Sequence, residues 1–112
     1  MIHESAHYTV PTGTVDACRE AIRELVDRVK EQPGVETYLV LENGGDRRTR
    51  FLHLSVFEDR EARREHHESE AVREFIDLVY PATLDGIEYD RERVVDRVQR
   101  PGEPGQHRTV AR

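Results

Sequence analysis

A chain of 112 residues carries 36% apolar and 36% charged side chains and a formal net charge of −6. That length makes one domain with a small core, and the acidic balance argues against nucleic acid or an anionic membrane as the main partner. The single cysteine, Cys18, excludes an internal disulfide and a paired-cysteine zinc site, and no apolar run is long enough to span a bilayer. The opening MIHESAHYTV has neither the basic nor the apolar part of a secretory leader, so the cytoplasm is the expected compartment.

Ile2 to Val10 reads as the first strand. Ile2, Ala6, Tyr8 and Val10 lie on one face, and His3, Ser5, His7 and Thr9 on the other. Pro11-Thr12-Gly13 breaks it, and Thr14 with Asp16 is the expected N-cap and first turn of a helix. Val15, Cys18, Ile22, Leu25, Val26 and Val29 then recur at steps of three and four as one apolar stripe, until Pro33-Gly34. Val35 to Leu41 is the second expected strand. Asn43-Gly44-Gly45-Asp46 is a hairpin turn of residues that tolerate positive φ.

Arg48 to Phe57 is the third strand and the most apolar. Leu52, Leu54 and Val56 face one way; Phe51, His53, Ser55 and Phe57 face the other. Both faces call for packing partners. The face with His53 and Ser55 is expected to line a cavity, because the all-aliphatic face suits a dry seam between copies. Glu58 and Asp59 then open a helix at the positive end of its dipole. His66 follows two turns on, and Ser69 starts a second helical run, so the helical region extends from about Asp59 to Tyr80. Val72, Phe75, Ile76 and Val79 form its stripe, Leu78 widens it and Pro81 stops it. Ile87 to about Val98 reads as a charged fourth strand, polar on both faces and therefore at an edge. Residues 101–112 are rich in Gly and Pro without apolar period, and are expected to be a disordered tail outside a domain of residues 1–100.

The order β-α-β-β-α-β predicts a ferredoxin-like α+β sandwich, with right-handed crossovers placing the helices on one face of an antiparallel sheet. A second copy, sheet against sheet, is the expected cover for the other face, which makes a homodimer.

The segments YTVPTGTVDACREAI and EQPGVETYLVLENGGDRRTRFLHLSVFEDREARREHHESEAVREF resemble the antibiotic biosynthesis monooxygenase family. The resemblance rests on Pro33-Gly34 after the first helix, on the hairpin, and on Phe57, Asp59, Ala62, His66 and the following aromatic Phe75. It implies a dimeric α+β barrel and, as in several members, cofactor-independent oxygenation of anthrones or hydroquinones. Phe57 stands where the family often has Trp, and Ser55 where it often has Glu. The chain has no Trp and no clear Asn in its first strand, which disfavours the heme-degrading branch.

Cofactor-free oxygenation needs an electron-rich phenolic substrate, a base, a dry aromatic pocket and donors for the developing oxyanion. His66 is the expected catalytic base, since an imidazole titrates near neutral pH. His7, His53 and Ser55 are candidate substrate contacts, with Phe51, Phe57 and Phe75 as candidate pocket walls. A small aromatic metabolite is then the expected partner besides the second copy. A metal site built from His7, His53 and His66 is the rival constellation. It is not expected, because HxH and HxxxH spacings are absent and adjacent His66 and His67 on a helix should not face one pocket. No phosphate loop, dinucleotide fingerprint or nucleophile triad is present. The alternative to an enzyme is a non-catalytic dimeric module that binds a small apolar ligand or serves as a scaffold.

Overall fold

The computed structural model describes residues 1–98 of the chain. Strand β1 (Ile2–Pro11) leads through a 3-10 turn (Thr12–Thr14) into helix α1 (Val15–Val29). Strands β2 (Val35–Asn43) and β3 (Arg48–Phe57) form a hairpin. Helices α2 (Arg60–Glu68) and α3 (Glu70–Val79) follow, then a 3-10 turn (Tyr80–Ala82) and strand β4 (Glu88–Arg93). The strands lie in the order β2-β3-β1-β4, and every neighbouring pair is antiparallel. This is the ferredoxin-like α+β arrangement that the element order predicts.

Burial follows the apolar stripes. Val15, Cys18, Ala21, Ile22, Leu25 and Val29 of α1 and Ala71, Val72, Phe75 and Val79 of α3 pack on Tyr8, Val10 and Phe51 of the sheet. Phe51, His53, Ser55 and Phe57 are buried beneath the helices, whereas Leu52, Leu54 and Val56 on the outer face are only half-buried. Leu39 and Leu41 join that outer face at 49% and 44% exposure.

Local chemistry fixes several joints. Asp59 caps α2 by accepting a hydrogen bond from the Ala62 amide at 2.9 Å. Gly34 has a φ of 88°, and a Cβ there would stand 2.6 Å from the Ala62 methyl, so only glycine lets α2 settle against the turn. A β-bulge between Val35 and Thr37 inserts Glu36 as an extra residue. Beyond it Tyr38 and Val40 face the helices, beside Val35, and Leu39 and Leu41 face out.

Four details depart from the sequence expectation. Thr14 takes the expected N-cap position of α1, but its side chain makes no capping bond; its hydroxyl donates to the Pro11 carbonyl instead. The hairpin uses no positive φ at Gly44 or Gly45; Gly45 is required instead by the Arg48 carbonyl, 2.6 Å from where a Cβ would sit. Leu78 points outward at 65% exposure, because α3 turns its narrower stripe inward. Strand β4 stops at Arg93, short of Val98, as pairing with β1 ends where β1 begins. The expected tail at 101–112 lies outside the described residues.

Candidate active site

Two rows of paired residues cross the inner sheet face and floor the site. One is Tyr38, Ser55, Glu4 and Arg91; the other is Val40, His53, Ala6 and Tyr89; all but Arg91 and Val40 line the cavity. Leu25 of α1, His66 and His67 of α2, and Val72, Phe75 and Ile76 of α3 roof it, and Ile87 closes the near edge. The cavity has about 40 Å³ of free space.

His66 ends up here because α2 ends here. Ser69 has an extended ψ of 154°, which stops α2 and starts α3. Its hydroxyl donates to the His66 carbonyl at 2.6 Å and accepts from the Val72 amide at 3.3 Å. The Gln32 side-chain nitrogen donates to the same hydroxyl at 3.2 Å, which turns Oε1 of Gln32 towards Nδ1 of His66 at 2.7 Å. A carboxamide oxygen can only accept, so Nδ1 carries the ring proton and Nε2 is the bare nitrogen. Burial and the adjacent His67, partly offset by Glu4, push His66 down to about 4. The ring is therefore neutral at pH 7 and able to take a proton.

His53 lies between two phenols. The Tyr8 hydroxyl is 2.7 Å from Nε2, and the Tyr38 hydroxyl is 2.8 Å from Nδ1. Burial, then the proximity of His66, push His53 down to about 4. Burial also holds both tyrosines above the ordinary phenol range, so they stay protonated.

Glu4, only 2% exposed, is the third element. Its Oε1 meets Nε2 of His67 at 2.6 Å, and its Oε2 meets Nε of Arg91 at 3.1 Å. Burial alone would raise Glu4, but the hydrogen bonds and charges of His67 and Arg91 outweigh it and hold the carboxyl below its ordinary value. The cavity thus has an ionised carboxylate at one side and neutral imidazoles at the other.

The structure gathers four of the seven residues expected at the site. His66, His53, Ser55 and Phe75 line one cavity. Ser55 is not free as a donor, because its hydroxyl donates to the Glu4 carbonyl at 3.2 Å. Phe51 and Phe57 stand behind the wall: Phe51 packs on Tyr8, and Phe57 backs the His66 ring at 5.2 Å between centroids. His7 does not belong to the site. It pairs with Leu52 on the outer sheet face, where its Nε2 lies 3.5 Å from Glu88, because only the even neighbours Ala6 and Tyr8 point inward. The three imidazoles of the rival metal site therefore do not converge, and no metal-holding cluster of His, Cys, Asp and Glu is present among the described residues.

Adjacent His66 and His67 do share the cavity, against the helical-wheel expectation, with ring centroids 5.2 Å apart. They occupy the last turn of α2, where side chains about 100° apart both line the cavity. Glu4, Tyr8, Tyr38, His67 and Tyr89 are the site residues that the sequence reading misses. Glu4 has a legible signal: it occupies the inward register between Ile2 and Ala6. Tyr38 has none, because straight alternation from Val35 sends it outward.

Comparison with known proteins agrees with this fold. The family model described as "Antibiotic biosynthesis monooxygenase" matches residues 1–78. Among solved structures, a candidate antibiotic biosynthesis monooxygenase from Nitrosomonas europaea superposes with a TM-score of 0.79 at 20% identity, over 86% of this chain and 100% of its own. A second candidate of the same description, from Deinococcus radiodurans, gives 0.77 at 16% identity over 91% and 100%. A conserved protein from Methanosarcina mazei Go1 gives 0.75 at 17% identity over 82% and 90%. At these identities the structural likeness shows the fold. No curated protein matches the chain significantly.

Proposed function

The chain belongs to the antibiotic biosynthesis monooxygenase family, and from that premise we propose that it oxidises a small phenolic, quinol or anthrone-like molecule with O₂, without a cofactor, using His66 as base. The observation that carries this reading is the His66 ring: its proton is committed to Gln32, its Nε2 is bare, and it stands in the wall of an aromatic-lined cavity. On this reading Nε2 takes the phenolic or enolic proton of the substrate. The resulting anion passes an electron to O₂, and the two radicals combine at carbon. For an anthrone, the reacting CH₂ becomes C=O. One oxygen atom enters the product and the other leaves as water with the two hydrogens, so the substrate supplies all four electrons and no outside reductant is needed.

The free space of about 40 Å³ is far below the several hundred that a ring-sized ligand fills. Binding on this reading therefore displaces Ile87 and Tyr89, which sit just before and within the edge strand β4. The same tight packing favours the second reading, a non-catalytic module for a smaller ligand or a scaffold. In both readings a second copy of the chain covers the outer sheet face, where Leu39 and Leu41 lie open.

Oxygen uptake by metal-free protein, measured with a panel of hydroquinones and anthrones, separates the two. The oxygenase predicts uptake that falls by at least about a hundredfold in His66→Ala, with the unfolding midpoint of each variant measured alongside. Uptake that survives in a folded His66→Ala removes the base assignment. No uptake from any panel member transfers the case to the module.

A further inference from the structure

His53 holds two hydroxyls with a single proton. Neutral imidazole has one N–H and one bare nitrogen, and here a tyrosine sits on each at hydrogen-bond distance. One tyrosine must therefore donate to His53 and the other must accept from it. The accepting tyrosine keeps an O–H that this pairing does not use. Neither hydroxyl has a second side-chain or backbone partner among the described residues.

Burial decides which tyrosine is which. Both tyrosines border the cavity, but Tyr8 is 3% exposed and belongs to the core cluster, so an unused O–H there is the less open to a ligand. Tyr38 is half-buried and packs against the His66 ring at 5.6 Å between centroids, at the cavity. The lower-cost arrangement has Tyr8 donating to Nε2, Nδ1–H donating to Tyr38, and the Tyr38 proton left for whatever occupies the cavity. Each hydrogen bond in such a chain polarises the next, so Tyr38 is a stronger donor than a lone phenol.

We propose that Tyr38, oriented by the Tyr8–His53 pair, is the oxyanion donor of this site, and that it and Nε2 of His66 form a two-point receptor for one phenolic oxygen. This rests on the phenolic-substrate reading given above. The phenol O–H bond breaks as the N–H bond forms on His66 Nε2; the phenolate so formed, an opposite charge against the imidazolium, offsets the burial that keeps the empty site's ring neutral, and its oxygen accepts the Tyr38 O–H. Tyr8 and His53 are positioning residues in this scheme. Its requirement is narrow: a ligand whose ring bears a hydroxyl, rather than an ether, nitrile or carboxylate.

Two measurements test it, and neither needs turnover. Nitrogen-15 NMR of histidine-labelled protein at pH 7 should show His53 protonated on Nδ1 and bare on Nε2. Protonation on Nε2 instead would make Tyr8 the acceptor from His53 and Tyr38 a donor to it, leave the Tyr8 O–H as the unused one, and overturn the assignment. Titration with para-nitrophenol, whose anion is coloured, should show binding as phenolate below the free phenol's own pKa. Tyr38→Phe should weaken that binding roughly ten- to a hundredfold, and Tyr8→Phe should weaken it less, although both variants lose one hydrogen bond to His53. Equal losses would mean a merely structural pair, and no phenolate binding by the wild-type protein would overturn the receptor altogether. Tyr38-dependent binding without oxygen uptake keeps the receptor and removes the oxygenase; uptake undiminished in Tyr38→Phe does the reverse.

Discussion

His53 and His66 make the interior of this protein sensitive to acid. Both are buried and neutral, each pushed down to about 4, while in the unfolded chain they titrate near the ordinary imidazole value of about 6.5. As pH falls through that window the unfolded state takes up protons and the folded state does not, so stability drops between roughly pH 6.5 and 4 and levels off for these groups below it. The loss is on the order of 3 kcal/mol per ring at most, and the two rings titrate as a coupled pair. Urea unfolding midpoints at pH 7, 5.5 and 4.5 should fall in that order. A midpoint that holds steady from pH 7 to 5.5 would contradict neutral, desolvated imidazoles. The same charge pattern explains what was legible residue by residue. His66, His53 and Phe75 stand out because an imidazole or aromatic ring breaks an otherwise regular stripe. Glu4 is equally irregular, a carboxylate in an apolar register, but its meaning depends on His67 and Arg91, which arrive from α2 and β4. No local pattern announces a partner 63 or 87 residues away.

Between elements, the joint at the start of α2 centres on Gly34. Gly34 and Ala62 touch where the turn before β2 meets the first turn of the helix, and the Glu58 amide donates to the Gly34 carbonyl at 2.8 Å. Gly34→Ala combines a positive φ with a methyl clash, and should cost about 2–4 kcal/mol. Thermal or urea unfolding will check this, and a change within about 0.5 kcal/mol would mean that the turn relaxes freely. Element order, the break at Ser69 and the edge position of β4 follow from periodicity and caps, because those signals are local. The bulge at Glu36 is not local: it depends on how β2 meets β3, and it alone brings Tyr38 to His53. The largest gap in the sequence reading of the site therefore comes from one register shift.

Over the whole molecule the uncovered apolar surface is the outer sheet face. Leu39 and Leu41 are open there, with Leu52, Leu54 and Val56 half-buried beside them, and the helices cover only the opposite side. If a second copy closes this face, Leu41→Arg should convert the wild-type dimer to monomer in sedimentation experiments while leaving the inner cavity intact, since a desolvated unpaired charge opposes a dry seam. Equal sedimentation of a dimeric wild type and the variant would place the self-association elsewhere. The same face carries His7, whose neighbours Leu52 and Glu88 mark it as part of that surface.

The extra residue at Glu36 also gives β2 slack. Removing one residue there would straighten the strand and leave every pairing from Thr37 to Asn43 where it is. Removing one between Tyr38 and Asn43 would draw Tyr38 along to Leu39's place opposite Leu54, turning its hydroxyl to the outer side of the sheet. Chain length is thus negotiable on one side of Tyr38 and fixed on the other, and insertions or deletions that keep His53 paired belong before it.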